Sequence, residues 1–82
     1  MLKALLIDDD AKLANLLGNY LTKFEIELNS TTEPTRALDL IAEHQPDLVI
    51  LDVMMPKMDG FEVCSGIREK HKIPIIMLSA RG

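Results

Sequence analysis

The sequence predicts an α/β fold built on a parallel sheet. Short apolar runs alternate with stretches of helical periodicity in the order βαβαβαβ, and such alternation implies parallel strands joined by right-handed crossovers. Three of the four runs are nearly continuous rather than alternating, the pattern of strands buried on both faces. These three lead directly into residues that can carry chemistry: Asp8 and Asp9 after the first, Asp52 after the third and Ser79 after the fourth.

The first strand is read over Leu2 to Ile7, broken only by Lys3. Leu13, Leu16, Leu17, Tyr20, Leu21 and Phe24 then fall on one helical stripe, with Asp10 as N-cap and Gly18 as a weak point. Glu25 to Asn29 alternates and reads as a half-exposed edge strand. Ser30, Thr31 and Thr32 read as a turn, and Pro34 suits the first turn of a second helix. Ala37, Leu38, Ile41 and Ala42 form its expected buried face, and His44-Gln45-Pro46 ends it.

Leu48 to Leu51 is the clearest strand and runs into Asp52. Pro56, Asp59 and Gly60 mark a loop, in which Gly60 is expected to supply a positive φ. A third helix is expected from about Phe61 to Lys70, with Phe61, Val63, Cys64 and Ile67 as its apolar positions, followed by a strand over Ile73 to Leu78. Cys64 reads as a packed thiol, and Met54, Met55 and Met58 as packing or flanking groups rather than sulfur ligands.

With 82 residues the chain is at most one domain, and its 48% hydrophobic and 27% charged composition is globular. Aromatic residues supply only 4%, so the core must rest on aliphatic side chains. A net charge of −4 and no uninterrupted basic run argue against nucleic-acid binding by this segment. A single cysteine precludes an internal disulfide. No apolar run has membrane-spanning length and the start lacks a signal-peptide layout, so no membrane association and a cytoplasmic location are expected.

In open parallel sheets ligands bind beyond the carboxyl ends of the strands. Asp8, Asp9, Asp52 and Ser79 are therefore expected at one edge, and His44 and His71, which precede strands, at the other. Clustered carboxylates repel one another by about 4 kcal/mol per close pair at an effective dielectric near 20. A hard divalent cation such as Mg²⁺ or Mn²⁺ relieves that repulsion through oxygen ligands. A neutralised cluster on a rigid strand end can also offer a carboxylate as nucleophile toward phosphorus, with Asp52 the best placed.

These residues resemble the receiver domains of bacterial two-component response regulators, especially the OmpR/PhoB class. The matching motifs are Leu5-Leu6-Ile7-Asp8-Asp9-Asp10, Leu51-Asp52-Val53-Met54-Met55-Pro56 with Asp59-Gly60-Phe61-Glu62-Val63, and Pro74-Ile75-Ile76-Met77-Leu78-Ser79-Ala80-Arg81-Gly82. The resemblance implies a flavodoxin-like (CheY-like) parallel sheet of strand order 2-1-3-4. It implies that Asp52 is the phosphoacceptor and a metal ligand, that Asp9 binds the metal directly and that Asp8 acts through bound water. It further implies that the Met54 carbonyl completes the protein ligands to Mg²⁺ or Mn²⁺, that the Ser79 hydroxyl switches toward the phosphate and that the Ala80 N–H contacts it.

By the same resemblance the chain is no enzyme but a phosphoacceptor that takes part in its own phosphorylation and dephosphorylation. Its donor would be a sensor histidine kinase or a small phosphodonor such as acetyl phosphate, and its output transcriptional. Family members run further, so residues 1–82 are expected to be the N-terminal part of one receiver domain, without its fifth strand, its last two helices, the phosphate-binding lysine or an effector domain. Two other functions compete. A metal-dependent phosphatase would need a second aspartate where Met54 stands. A phosphorylation-incompetent piece would act only in folding or as a homo-oligomer through exposed apolar surface.

Overall fold

The computed structural model describes residues 2–53 and 59–78. Its elements are β1 (Leu2–Ile7), α1 (Ala11–Thr22), β2 (Ile26–Thr31), a 3-10 turn (Pro34–Arg36), α2 (Ala37–His44), β3 (Leu48–Asp52), α3 (Gly60–Lys70) and β4 (Ile75–Leu78). All strand pairs are parallel and the order is β2-β1-β3-β4. The chain steps outward from β1 to β2, then crosses back to β3 on the other side. That reversal makes the gap between β1 and β3 the switch point at which open sheets of this kind hold their ligands.

The two faces of the sheet are covered unequally. On one, Leu5 and Ile7 of β1 and Val49 and Leu51 of β3 pack with Ala37, Leu40 and Ile41 of α2 and Val63 and Ile67 of α3. Burying a Val, Leu or Ile side chain stabilises by about 1.5–3 kcal/mol, and this cluster is the main part of the core, to which Ala4 and Leu6 of β1, also buried, add. Leu38, Cys64, Ile73 and Ile75 pack against its border. On the other face α1 lies over β2 and buries none of its own residues. Leu13, Leu17 and Leu21 are half-buried there, whereas Leu16, Tyr20 and Phe24 are exposed, so the expected single buried stripe is only partly realised. Ile76 and Leu78 of the edge strand β4 are also exposed.

Four local expectations are corrected. Ser30 and Thr31 belong to β2 rather than to a turn, because β1 stays extended to Ile7 and pairs Leu6 with Ser30 and Ile7 with Thr31. The second helix is preceded by a tighter 3-10 turn, and its buried face is Ala37, Leu40 and Ile41, with Pro34 buried before it, so that Ala42 faces solvent. The fourth strand starts at Ile75, not Ile73. Phe61 is 64% exposed and is not part of the buried face of α3.

Candidate functional site

The site is built by strand register. Ile7 pairs with Leu51, so Asp8 and Asp52 are the next residues along two neighbouring parallel strands. The Asp8 N–H donates to the Thr31 carbonyl at 3.1 Å, which carries the β1–β2 ladder one residue further and buries Asp8 to 6% exposure. Asp52 closes β3 opposite Leu78, and the Val53 N–H donates to the Leu78 carbonyl at 3.1 Å. Carboxylate oxygens of Asp8, Asp9 and Asp52 all lie within 4.8 Å of one another, with Asp9 exposed and Asp52 half-buried.

Asp10 is set apart from this group. Its Oδ1 accepts from the Lys12 N–H at 2.9 Å and the Leu13 N–H at 3.4 Å, capping α1 as its sequence position suggests. Its own N–H donates to Asp8 Oδ1 at 2.8 Å, fixing one oxygen of the buried carboxylate. Of three consecutive aspartates, two face the site and one starts the helix.

Burial pushes the Asp8 carboxyl above the usual aspartate range. The hydrogen bond from Asp10 opposes the shift, and the neighbouring charges of Asp52, Asp9 and Asp10 add to it. A group of this kind holds its proton more tightly than an exposed aspartate until a cation offsets the desolvation and repulsion.

The donor set fits a hard divalent ion. Opposite ligands on an octahedral Mg²⁺ at about 2.1 Å are roughly 4.2 Å apart. Three oxygens gathered within 4.8 Å therefore need only small rotations, or one water between an oxygen and the ion, to share it. Met54, Ser79 and Ala80 lie outside the described residues.

Gly60 takes a role unlike the one its sequence suggested. It opens α3 in helical backbone rather than supplying a positive φ, while Asp59 caps the helix by accepting from the Phe61 N–H at 2.9 Å. Its requirement is space: a Cβ here would lie 2.5 Å from Val53 Cα and 3.0 Å from the Asp52 carbonyl oxygen. An Asp-Gly pair reads equally well as a turn or as a capped helix start, which is why the sequence alone did not separate them.

Comparison with known proteins agrees with this fold. The family model described as the response regulator receiver domain matches residues 4–82, and the chain belongs to that family. A solved complex of histidine kinase ThkA with response regulator protein TrrA matches at 34% identity and a TM-score of 0.90, covering 100% of this chain and 72% of that one. The BeF3-activated N-terminal receiver domain of Klebsiella pneumoniae RstA matches at 33% identity and a TM-score of 0.89, covering 95% of this chain and 67% of that one. The receiver domain of Francisella response regulator 1452 matches at 31% and 0.86, covering 98% and 67%. The chain thus spans about two-thirds of the length of the last two structures.

Proposed function

We propose that this chain is the phosphoacceptor module of a two-component system, taking a phosphoryl group on Asp52 from a sensor histidine kinase to govern a transcriptional output. The observation that carries the reading is the gathering of Asp8, Asp9 and Asp52 within 4.8 Å at the switch point of a receiver fold. The kinase partner is supported by the histidine kinase in the ThkA–TrrA complex, and the transcriptional output by the resemblance to the OmpR/PhoB class. Residues 1–82 act as part of a single receiver domain in the cytoplasm; among the described residues no helix is long and apolar enough to cross a membrane.

Asp9 and Asp52 would hold Mg²⁺ directly and Asp8 through water, with the Met54 carbonyl as a further ligand. When bound, the ion supplies positive charge against the carboxylates and the phosphoryl oxygens. Asp52 Oδ attacks phosphorus in line, the P–O bond forms, and the P–N bond to the donor imidazole breaks with its electron pair leaving on nitrogen, which takes up a proton. Asp52 sits on a strand end fixed by β1 and β4, so the nucleophile is positioned before the donor arrives. The Ser79 hydroxyl and the Ala80 N–H would then hold phosphoryl oxygens. Attack of water on the same phosphorus reverses the modification, so the module takes part in both directions without being an enzyme for another substrate.

Borohydride converts an acyl phosphate to an alcohol at the carboxyl that carried it. After incubation with acetyl phosphate and Mg²⁺, reduction and peptide mass mapping should place that change at Asp52. A change at Asp8 or Asp9 instead would overturn the assignment.

A further inference from the structure

We infer that Gly60 is a positioning residue for Asp52, acting by letting the first turn of α3 rest directly on the Asp52–Val53 backbone. The inference rests on the metal and phosphoacceptor reading of Asp52 given above. An added Cβ at Gly60 would meet Val53 Cα at 2.5 Å, the Asp52 carbonyl oxygen at 3.0 Å and Val53 Cβ at 3.1 Å. Two of these three atoms are backbone and the third is bonded to it, so none can swing aside as the end of a flexible side chain would. Gly60 is itself buried and its φ is not left-handed, so close approach and not backbone freedom is what the position requires.

The Asp52–Val53 peptide is thereby held from two sides. The Val53 N–H is fixed on the Leu78 carbonyl of β4 at 3.1 Å. The first turn of α3, capped by Asp59, seats against the Asp52 carbonyl and Val53 Cα. A side chain at position 60 forces helix and strand end apart, and the carboxylate of Asp52 moves with its backbone. Oxygen ligands to Mg²⁺ must lie near 2.1 Å in close to octahedral geometry, so a displacement of several tenths of an ångström at one ligand is felt in affinity. The same helix carries its own control: a Cβ on Gly66 would meet nothing within 4 Å.

The test is calorimetric titration of Mg²⁺ into the wild-type chain, Gly60→Ala and Gly66→Ala, with circular dichroism recording that each is folded. The expected result is a Kd weakened about 10- to 100-fold in Gly60→Ala, the usual span for a group that orients a metal ligand. Gly66→Ala should keep the wild-type Kd and melt a few degrees higher, because alanine favours the helix. If Gly60→Ala only lowers the metal-free melting temperature and leaves the Kd unchanged, Gly60 merely packs and the inference is overturned. If the wild-type chain itself binds no Mg²⁺, the underlying reading fails and takes this inference with it. Should Gly60→Ala not fold, Asp59→Ala against Asp59→Asn replaces it: both remove the charge, and only the first removes the cap. A weaker Kd in Asp59→Ala alone supports positioning by the first turn of α3, and equal values overturn it.

Discussion

Asp8 and Asp52 are neighbours by register: each is the residue immediately after the paired Ile7 and Leu51 on adjacent parallel strands. Their proximity follows from the sheet itself and not from a flexible loop. The ladder places two carboxylates side by side, and the chain must then manage their repulsion through solvent, protonation or a cation.

Protonation should show in the pH dependence of stability. Burial first, and then the nearby charges of Asp52, Asp9 and Asp10, raise the Asp8 carboxyl above its unfolded value. The folded state therefore binds more protons than the unfolded state in that window, and stability falls as pH rises. This contribution is fully present below about pH 3.9 and is lost as pH climbs through the raised value. In chelator, Asp8→Asn should flatten the fall in urea midpoint across that window and be the more stable protein above it. A midpoint profile identical to wild type would mean that Asp8 is not desolvated as described.

A cation should do the same work from outside. Ligand binding to the native state alone adds about 2.7 kcal/mol at a hundredfold excess over Kd, so Mg²⁺ should raise the melting temperature by several degrees. Asp9→Asn should abolish most of that gain while changing the metal-free temperature little, since Asp9 is exposed. A gain that survives in Asp9→Asn would place the ion elsewhere.

Packing separates residues that look alike in sequence. Leu51 is fully buried between α2, α3 and β1, whereas Leu16 is 69% exposed on α1. Leu51→Ala should lose about 2–5 kcal/mol in urea unfolding, a large part of the stability of so small a domain. Leu16→Ala should stay within about 0.5 kcal/mol of wild type.

Much of the architecture was legible in the residues. The runs Leu2–Ile7 and Leu48–Asp52 announced the two central strands, and the carboxylates that follow or end them announced where an acidic cluster gathers. What stayed hidden depended on long-range geometry. Ser30 and Thr31 are turn formers by propensity, yet they extend because β1 offers them partners. Ala42 was expected on the buried face of α2 but is exposed, and Leu40 is buried there, because Ala37, Leu40 and Ile41 at i, i+3 and i+4 share the side of the helix that meets the sheet. Gly60 looked like a turn glycine because the strand end it touches is distant from it in local pattern. The half-covered α1 face was equally unreadable, since an apolar stripe records which residues could be buried and not which of them are.

One backbone position offers a gain in stability. Gln45 ends α2 in the left-handed region at φ 48°, donating its N–H to the Ile41 carbonyl. Gln45→Gly removes the steric penalty there and should add about 0.5–1 kcal/mol, read as a higher urea midpoint with an unchanged slope. A lower midpoint would show that the glutamine side chain contributes more than its backbone strain costs.

The proposed role of Asp52 is that of the nucleophile in a metal-dependent phosphoacceptor. Its most direct test is the intact mass of the folded 82-residue chain after incubation with acetyl phosphate, with and without Mg²⁺ and beside Asp52→Asn. The wild-type chain with Mg²⁺ should gain the mass of one phosphoryl group, and neither the chelator-treated chain nor the variant should gain any. Addition that persists in Asp52→Asn, or no addition to folded wild-type chain with Mg²⁺, would contradict that role.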